Sequence, residues 1–182
     1  DRVYSWMEEW HQTEWWDKKV FIQNVTEEYT QITIAGPKAR LLLEKLGGLK
    51  VDNVNFKPLD FFEGKLGNFE ARVFRISFSG ELSFEIAVPS KDGIAFWMRC
   101  LELGRDLDLT PYGTEALHIM RAEKGFIMIG DETDGTVIPQ DLNLEWAISK
   151  KKRDFIGKRA HERIFMQDIN RKTLVGLSLQ NS

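Results

Sequence analysis

Residues 69–89 read Phe69-Glu-Ala-Arg-Val-Phe-Arg-Ile-Ser-Phe-Ser-Gly-Glu-Leu-Ser-Phe-Glu-Ile-Ala-Val-Pro89, and this stretch decides the fold. Ala71, Val73 and Ser77 alternate against Arg72, Phe74, Ile76 and Phe78, which is the period-two signature of a strand. Ser79-Gly80-Glu81 is turn chemistry, and Phe84, Ile86 and Val88 then alternate with Ser83, Glu85 and Ala87. The pattern predicts an antiparallel hairpin over 69–88, turning at Ser79 to Leu82 and closed by Pro89. The spacing then becomes helical. Lys91 to Gly104 is expected to form a helix that carries Ile94, Trp97, Met98 and Leu101 inward.

On the N-terminal side, Val3, Trp6, Met7 and Trp10 follow the spacing of an amphipathic helix, with Trp15 and Trp16 just after. These Trp side chains either line a ligand slot or belong to a helix buried against a sheet. Val20 to Val25 and Tyr29 to Ala35 read as strands. Gly36-Pro37 opens a helix whose buried stripe is Ala39, Leu42, Leu43 and Leu46, and Gly47-Gly48 stops it. Val54 to Phe62 is a further strand candidate, interrupted by Pro58.

On the C-terminal side, Thr114 is expected to cap a helix running to Lys124, with Gly125 as its stop. Phe126 to Ile129 reads as a short strand, and 130–136 as an acidic loop. Short helices are expected over 139–148 and 154–164, and a strand over Thr173 to Leu179. Strands alternating with helices around a tight hairpin imply an α+β fold, antiparallel sheets with helices packed on them. No Gly-rich phosphate loop follows a strand, which argues against a doubly wound parallel sheet.

The chain has 182 residues, six Trp and twelve Phe, enough for a packed core. The formal net charge of −3 gives no basic field for nucleic acid, so no nucleic-acid partner is expected. No apolar run approaches the about 20 residues that span a bilayer, so no membrane role is expected either. Cys100 is the only cysteine, which excludes an intrachain disulfide and fits a reducing cytoplasm. His11, His118 and His161 lack metal-ligand spacing. Asp131, Glu132, Asp134 and Asp141 fail the calcium-loop spacing, because Gly130 falls where the first Asp belongs. No metal site is expected.

Arg75 to Pro89, with its aromatic-Ser-Gly-Glu turn leading to a strand that bears Glu85, resembles the aminomethyltransferase family of glycine cleavage T-proteins. Arg121-Ala-Glu-Lys-Gly125 and Asp134-Gly-Thr-Val-Ile-Pro139 agree, as do Leu144-Glu-Trp146 and Phe155-Ile-Gly-Lys158. The resemblance covers essentially the whole chain. Trp10-His-Gln-Thr-Glu-Trp15, Thr110-Pro-Tyr-Gly-Thr-Glu115 and Arg121 to Ile127 are similar to the alpha subunits of heterotetrameric sarcosine oxidases. That branch implies a module in which tetrahydrofolate traps the methylene-imine left by sarcosine oxidation. Flavin and NAD would sit elsewhere in the complex. The implied partners are the other sarcosine oxidase subunits and the remaining segments of the alpha chain. A T-protein proper, a related folate-dependent demethylase, and a non-catalytic folate-binding or assembly module stay open as alternatives.

The resemblance also implies site residues. A carboxylate accepts the two adjacent N–H donors of a pterin in a two-point contact, and Glu85 holds the place for it. Phe78 either flanks the ligand or packs the hairpin, and Glu81 serves the turn. Arg121 either contacts folate or forms a buried pair with Glu123. Trp146 either lines the folate cavity or covers its own helix. Leu117 stands where some T-proteins carry an Arg that reaches the folate. The family's catalytic Asp is expected upstream of Asp1, so no catalytic residue is assigned and the isolated fragment is expected to be inactive. The implied layout is the end of a first folate-binding subdomain over 1–35, a central α+β subdomain over 36–135 and a return segment over 136–170. Residues 171–182 would start a truncated C-terminal barrel, so the T-protein-like fold would be partial.

Overall fold

The computed structural model describes residues 1–178. The chain divides into two compact units. The first comprises Asp1–Ser77 and Glu81–Pro111, and the second Phe78–Gly80 with the residues from Tyr112 onward.

The first unit is a four-stranded antiparallel sheet with helices, an α+β arrangement. Strands β1 (Tyr29–Ala35), β2 (Phe61–Leu66), β3 (Phe69–Phe74) and β4 (Ser83–Pro89) lie in the order β1-β4-β3-β2. Alternation sends Ile32, Ile34, Val73, Phe84, Ile86 and Val88 to one face, where they are buried. Helix α2 (Ala39–Leu46) adds Ala39, Leu42, Leu43 and Leu46, the stripe its spacing predicts. Each Leu, Ile, Val or Phe among them contributes about 1.5–3 kcal/mol on burial. Gly48 follows α2 at φ +95°, and a Cβ there would lie 2.2 Å from the Lys65 carbonyl, so only glycine fits.

The hairpin is antiparallel, with Arg72, Val73 and Phe74 opposite Ala87, Ile86 and Glu85. Its connection is longer than the expected four-residue turn, because β3 ends at Phe74. The Arg75 backbone bonds back to Leu59 and Asp60 at 2.9 and 3.0 Å, and the Leu82 carbonyl accepts the Gly36 N–H at 2.8 Å. Residues 75–82 therefore form a loop.

Helix α3 (Gly93–Leu103) forms where expected but turns a different face inward. Phe96 and Cys100 are buried, whereas Ile94, Trp97 and Met98 are exposed. Two apolar stripes run along this helix, and Gly93 selects between them. A Cβ at Gly93 would meet Thr30 Oγ1 at 2.7 Å, so the glycine lets this edge of the helix approach β1. Phe96 then packs edge-on against Phe69, ring centroids 5.3 Å apart. Burial pushes the Cys100 thiol up to about 11, leaving it an inert apolar group.

Helix α1 (Arg2–Thr13) buries none of its residues, so it is not the sheet-covered helix that its Trp spacing allowed. Trp10 and Trp15 stack on each other at 5.4 Å instead. No strand forms over 20–25, where Phe21 is exposed, and 54–60 is turns with β2 beginning at Phe61.

The second unit contains helices α4 (Thr114–Glu123) and α5 (Lys158–His161), with 3-10 turns at Pro139–Leu142, Glu145–Ala147 and Ile164–Met166. Thr114 is the first helical residue, and Gly113 holds the cap position. Phe126–Ile129 is not a strand, because side chains take up its backbone groups. Glu132 accepts the Met128 N–H at 2.7 Å, and Arg121 donates to the Phe126 carbonyl at 3.3 Å. Residues 173–178 carry no strand, and 179–182 lie outside the described residues. No helix among the described residues is long and apolar enough to cross a membrane.

Candidate functional site

Glu85 sits mid-strand on β4, on the face opposite Phe84, Ile86 and Val88. Its register partners are Thr33 on β1 and Phe74 on β3, and Phe74 pairs in turn with Phe61 on β2. Directly opposed residues in antiparallel strands share a face. Thr33, Glu85, Phe74 and Phe61 therefore form one row across the whole sheet. The next row is Gln31, Ala87, Arg72 and Glu63. Arg72 bonds Glu63 at 2.9 Å and lies over the Tyr29 ring at 4.6 Å, which closes that row with paired charges.

The Glu85 carboxylate is half-buried, and one of its oxygens accepts a hydrogen bond from the Gln31 side-chain amide. Burial pushes its pKa above the usual carboxylate value, while the Gln31 bond pulls the other way and only partly offsets it. A carboxylate fixed in this way can accept two neighbouring donors from a ligand. The Phe61 and Phe74 rings lie 4.9 Å apart beside it. The family resemblance singled out Glu85 and alternation set its face, but neither reached Gln31, Phe74 or Phe61, because cross-strand neighbours depend on register.

The other anticipated residues belong to the second unit. Arg121 is buried in the last turn of α4. Its guanidinium binds Asp131 at 2.5 Å and also the Glu132 carboxylate. The alternative of a buried pair with Glu123 does not form, and Glu123 is exposed. The Met128 N–H and Arg121 together hold the Glu132 carboxyl below the usual range. Trp146 lies in the Glu145–Ala147 turn with 76% of its surface exposed, so it does not cover its own helix. Phe78 is half-buried.

The acidic residues that invited a cation are taken up by the chain itself. Asp131 and Glu132 face Arg121, and Asp134 accepts the Thr136 N–H and hydroxyl at 2.9 and 2.6 Å. Asp141 pairs with Arg171 at 2.5 Å and accepts the Ile138 N–H at 3.0 Å. No cluster of three His, Cys, Asp or Glu capable of holding a metal occurs among the described residues.

Residues 1–152 match the family described as the GCVT N-terminal domain. The chain belongs to this family. Among its GCVT relatives, the sarcosine oxidase subunit alpha of Corynebacterium sp. (strain P-1) is 47% identical over 177 residues, covering 96% of this chain and 18% of the relative. An aminomethyltransferase of Halothermothrix orenii is 30% identical over 164 residues, covering 90% of this chain and 45% of the relative. The mitochondrial dimethylglycine dehydrogenase of Mus musculus is 30% identical over 172 residues, 90% of this chain and 20% of the relative. The chain thus spans about a fifth of the sarcosine oxidase alpha subunit and less than half of the aminomethyltransferase.

Proposed function

We propose that this chain is the tetrahydrofolate-binding part of an aminomethyl-transferring enzyme, and that the enzyme is a sarcosine oxidase, of which this is part of the alpha subunit. The observation that carries the reading is the Glu85 carboxylate, oriented by Gln31 on an open sheet face next to two aromatic rings. The exocyclic amine and ring N–H of a pterin are adjacent, parallel donors that match the two oxygens of an ionised carboxylate. The higher identity to sarcosine oxidase alpha, 47% against 30% for the aminomethyltransferase, favours the oxidase over a T-protein proper.

In this reading Glu85 binds and orients the pterin. When bound, tetrahydrofolate takes the one-carbon unit of the methylene-imine formed from sarcosine, which frees glycine and leaves 5,10-methylenetetrahydrofolate. The partners are the other oxidase subunits and the remaining segments of the alpha chain, flavin and NAD sit elsewhere in the complex, and the site of action is the cytoplasm.

The test is product partition by the full-length enzyme. With sarcosine and tetrahydrofolate, the wild type should release 5,10-methylenetetrahydrofolate, and Glu85→Gln should release mainly formaldehyde at an unchanged rate of sarcosine consumption. Formaldehyde as the main product of the wild type at saturating folate would exclude the reading.

A further inference from the structure

The face that carries Glu85 mixes polar and apolar residues, with Ala87 in the adjoining row and Tyr29 and Pro89 two rows away, where Arg72 covers the Tyr29 ring. Gln31, Thr33, Glu63 and Arg72 are the residues such a face ordinarily shows, yet Phe61 and Phe74 lie beside them with Phe61 half exposed. Their rings are 4.9 Å apart and tilted by 39°. Phe74 is the register partner of Glu85, and Phe61 that of Phe74. On the other side Glu85 faces Thr33, which has no ring. Within its own row, a flat ligand hydrogen-bonded at Glu85 therefore has an aromatic surface on one side only.

We propose that Phe74, with Phe61 next to it, is the platform on which the planar aminopyrimidinone half of the ligand lies once its donor edge is held by Glu85. The proposal rests on the folate reading and deepens it by naming the specificity-determining wall of the site. Opposed side chains on an antiparallel pair stand about 4.5–5.5 Å apart at Cβ. That is close enough for one heterocycle to meet the carboxylate with its edge and the phenyl ring with its face. Aromatic stacking of this kind is sequence-tolerant for nucleobases because it reads only the π-face. Here the adjacent carboxylate adds the requirement for two donors. The pair thus selects ligands that are flat and also carry an amidine-like N–H edge.

The test uses the full-length protein and two halves of the ligand, tetrahydropterin and p-aminobenzoylglutamate, each measured by competition against tetrahydrofolate. Phe74→Leu and Phe61→Leu should each weaken tetrahydropterin binding, roughly tenfold for Phe74→Leu. Both should leave p-aminobenzoylglutamate binding unchanged, and Phe74→Tyr should restore the ring affinity. Unchanged tetrahydropterin affinity in both Leu variants overturns the proposal. So does an equal loss for the two halves, which marks a general disturbance. Glu85→Gln, measured alongside, separates the two levels of the argument. If it weakens tetrahydropterin while the Leu variants do not, only the platform is wrong. If it also has no effect, the folate reading itself falls.

Discussion

Gln31 on β1 reaches diagonally across the strand pair and donates its amide N–H to the carboxylate of Glu85 on β4. The register makes this a diagonal contact, since Gln31 stands opposite Ala87 and Glu85 opposite Thr33. The bond fixes one carboxylate oxygen and favours the ionised form against the burial that opposes it.

Replacing Gln31 with Leu should therefore raise the Glu85 pKa further. If Glu85 is the folate anchor, binding requires its ionised carboxylate, so the acidic limb of binding should move to higher pH. Affinity measured across pH 4–8 decides this. A Gln31→Leu profile superimposable on the wild type would remove Gln31 from the site.

Glu85 also sets opposite signs for stability and binding. Its folded pKa is raised, so its contribution to stability is fully present below the unfolded value and is lost as pH rises through the folded value. Glu85→Gln should thus match the wild type in melting temperature in acid and equal or exceed it at neutral pH, while binding folate less well. Thermal melts at pH 4 and pH 8 check the sign. A variant less stable at pH 8 than at pH 4, relative to the wild type, would assign Glu85 a structural role.

The inward face of α3 is Phe96 and Cys100, with Ile94 on the outside. Phe96→Ala should cost about 3–5 kcal/mol, as deletion of a fully buried ring does. Ile94→Ala should stay within about 0.5 kcal/mol. Urea unfolding measures both, and a larger loss at Ile94 would restore the face that the sequence spacing suggests.

In the second unit, Arg171 holds the Asp141 carboxyl below the usual carboxylate range, against the opposing effect of burial. The stabilisation this gives is present above the unfolded Asp value and lost as pH falls through the depressed folded one. Asp141 also anchors the chain beyond it, because its backbone carbonyl accepts the Leu174 N–H at 2.7 Å. Asp141→Asn should accelerate hydrogen exchange at the Leu174 amide at neutral pH and flatten the acid dependence of that exchange. Equal exchange rates in variant and wild type at neutral pH would show that the ion pair does not hold this segment.

Much of the first unit was legible because burial there follows simple periods. The α2 stripe and the alternation in β4 each read directly from Leu42, Leu43, Phe84 and Ile86. Helix α3 was legible as a helix but not in orientation. Its two apolar stripes are equivalent in spacing, and the contact of Gly93 with Thr30 that chooses between them is tertiary. The ends of β3 and of the Phe126–Ile129 segment escaped for a related reason. Their backbone partners are a distant loop in one case and side chains in the other. Of the candidate site, Glu85 was visible through the motif that resembles the family, and alternation added only that it lies on the face opposite Phe84 and Ile86. Gln31, Phe74 and Phe61 were not, since register assembles them from three other strands.

The most direct test of the account is titration of tetrahydrofolate into the full-length protein and its Glu85→Gln variant at neutral pH. Gln keeps the size of Glu but turns an N–H donor toward the pterin's own donors, replacing a charge-assisted bond with a mismatch. The expected cost is roughly 2–4 kcal/mol, or about 30- to 1,000-fold in dissociation constant. Equal dissociation constants for the two proteins would contradict the assignment of Glu85 as the folate anchor.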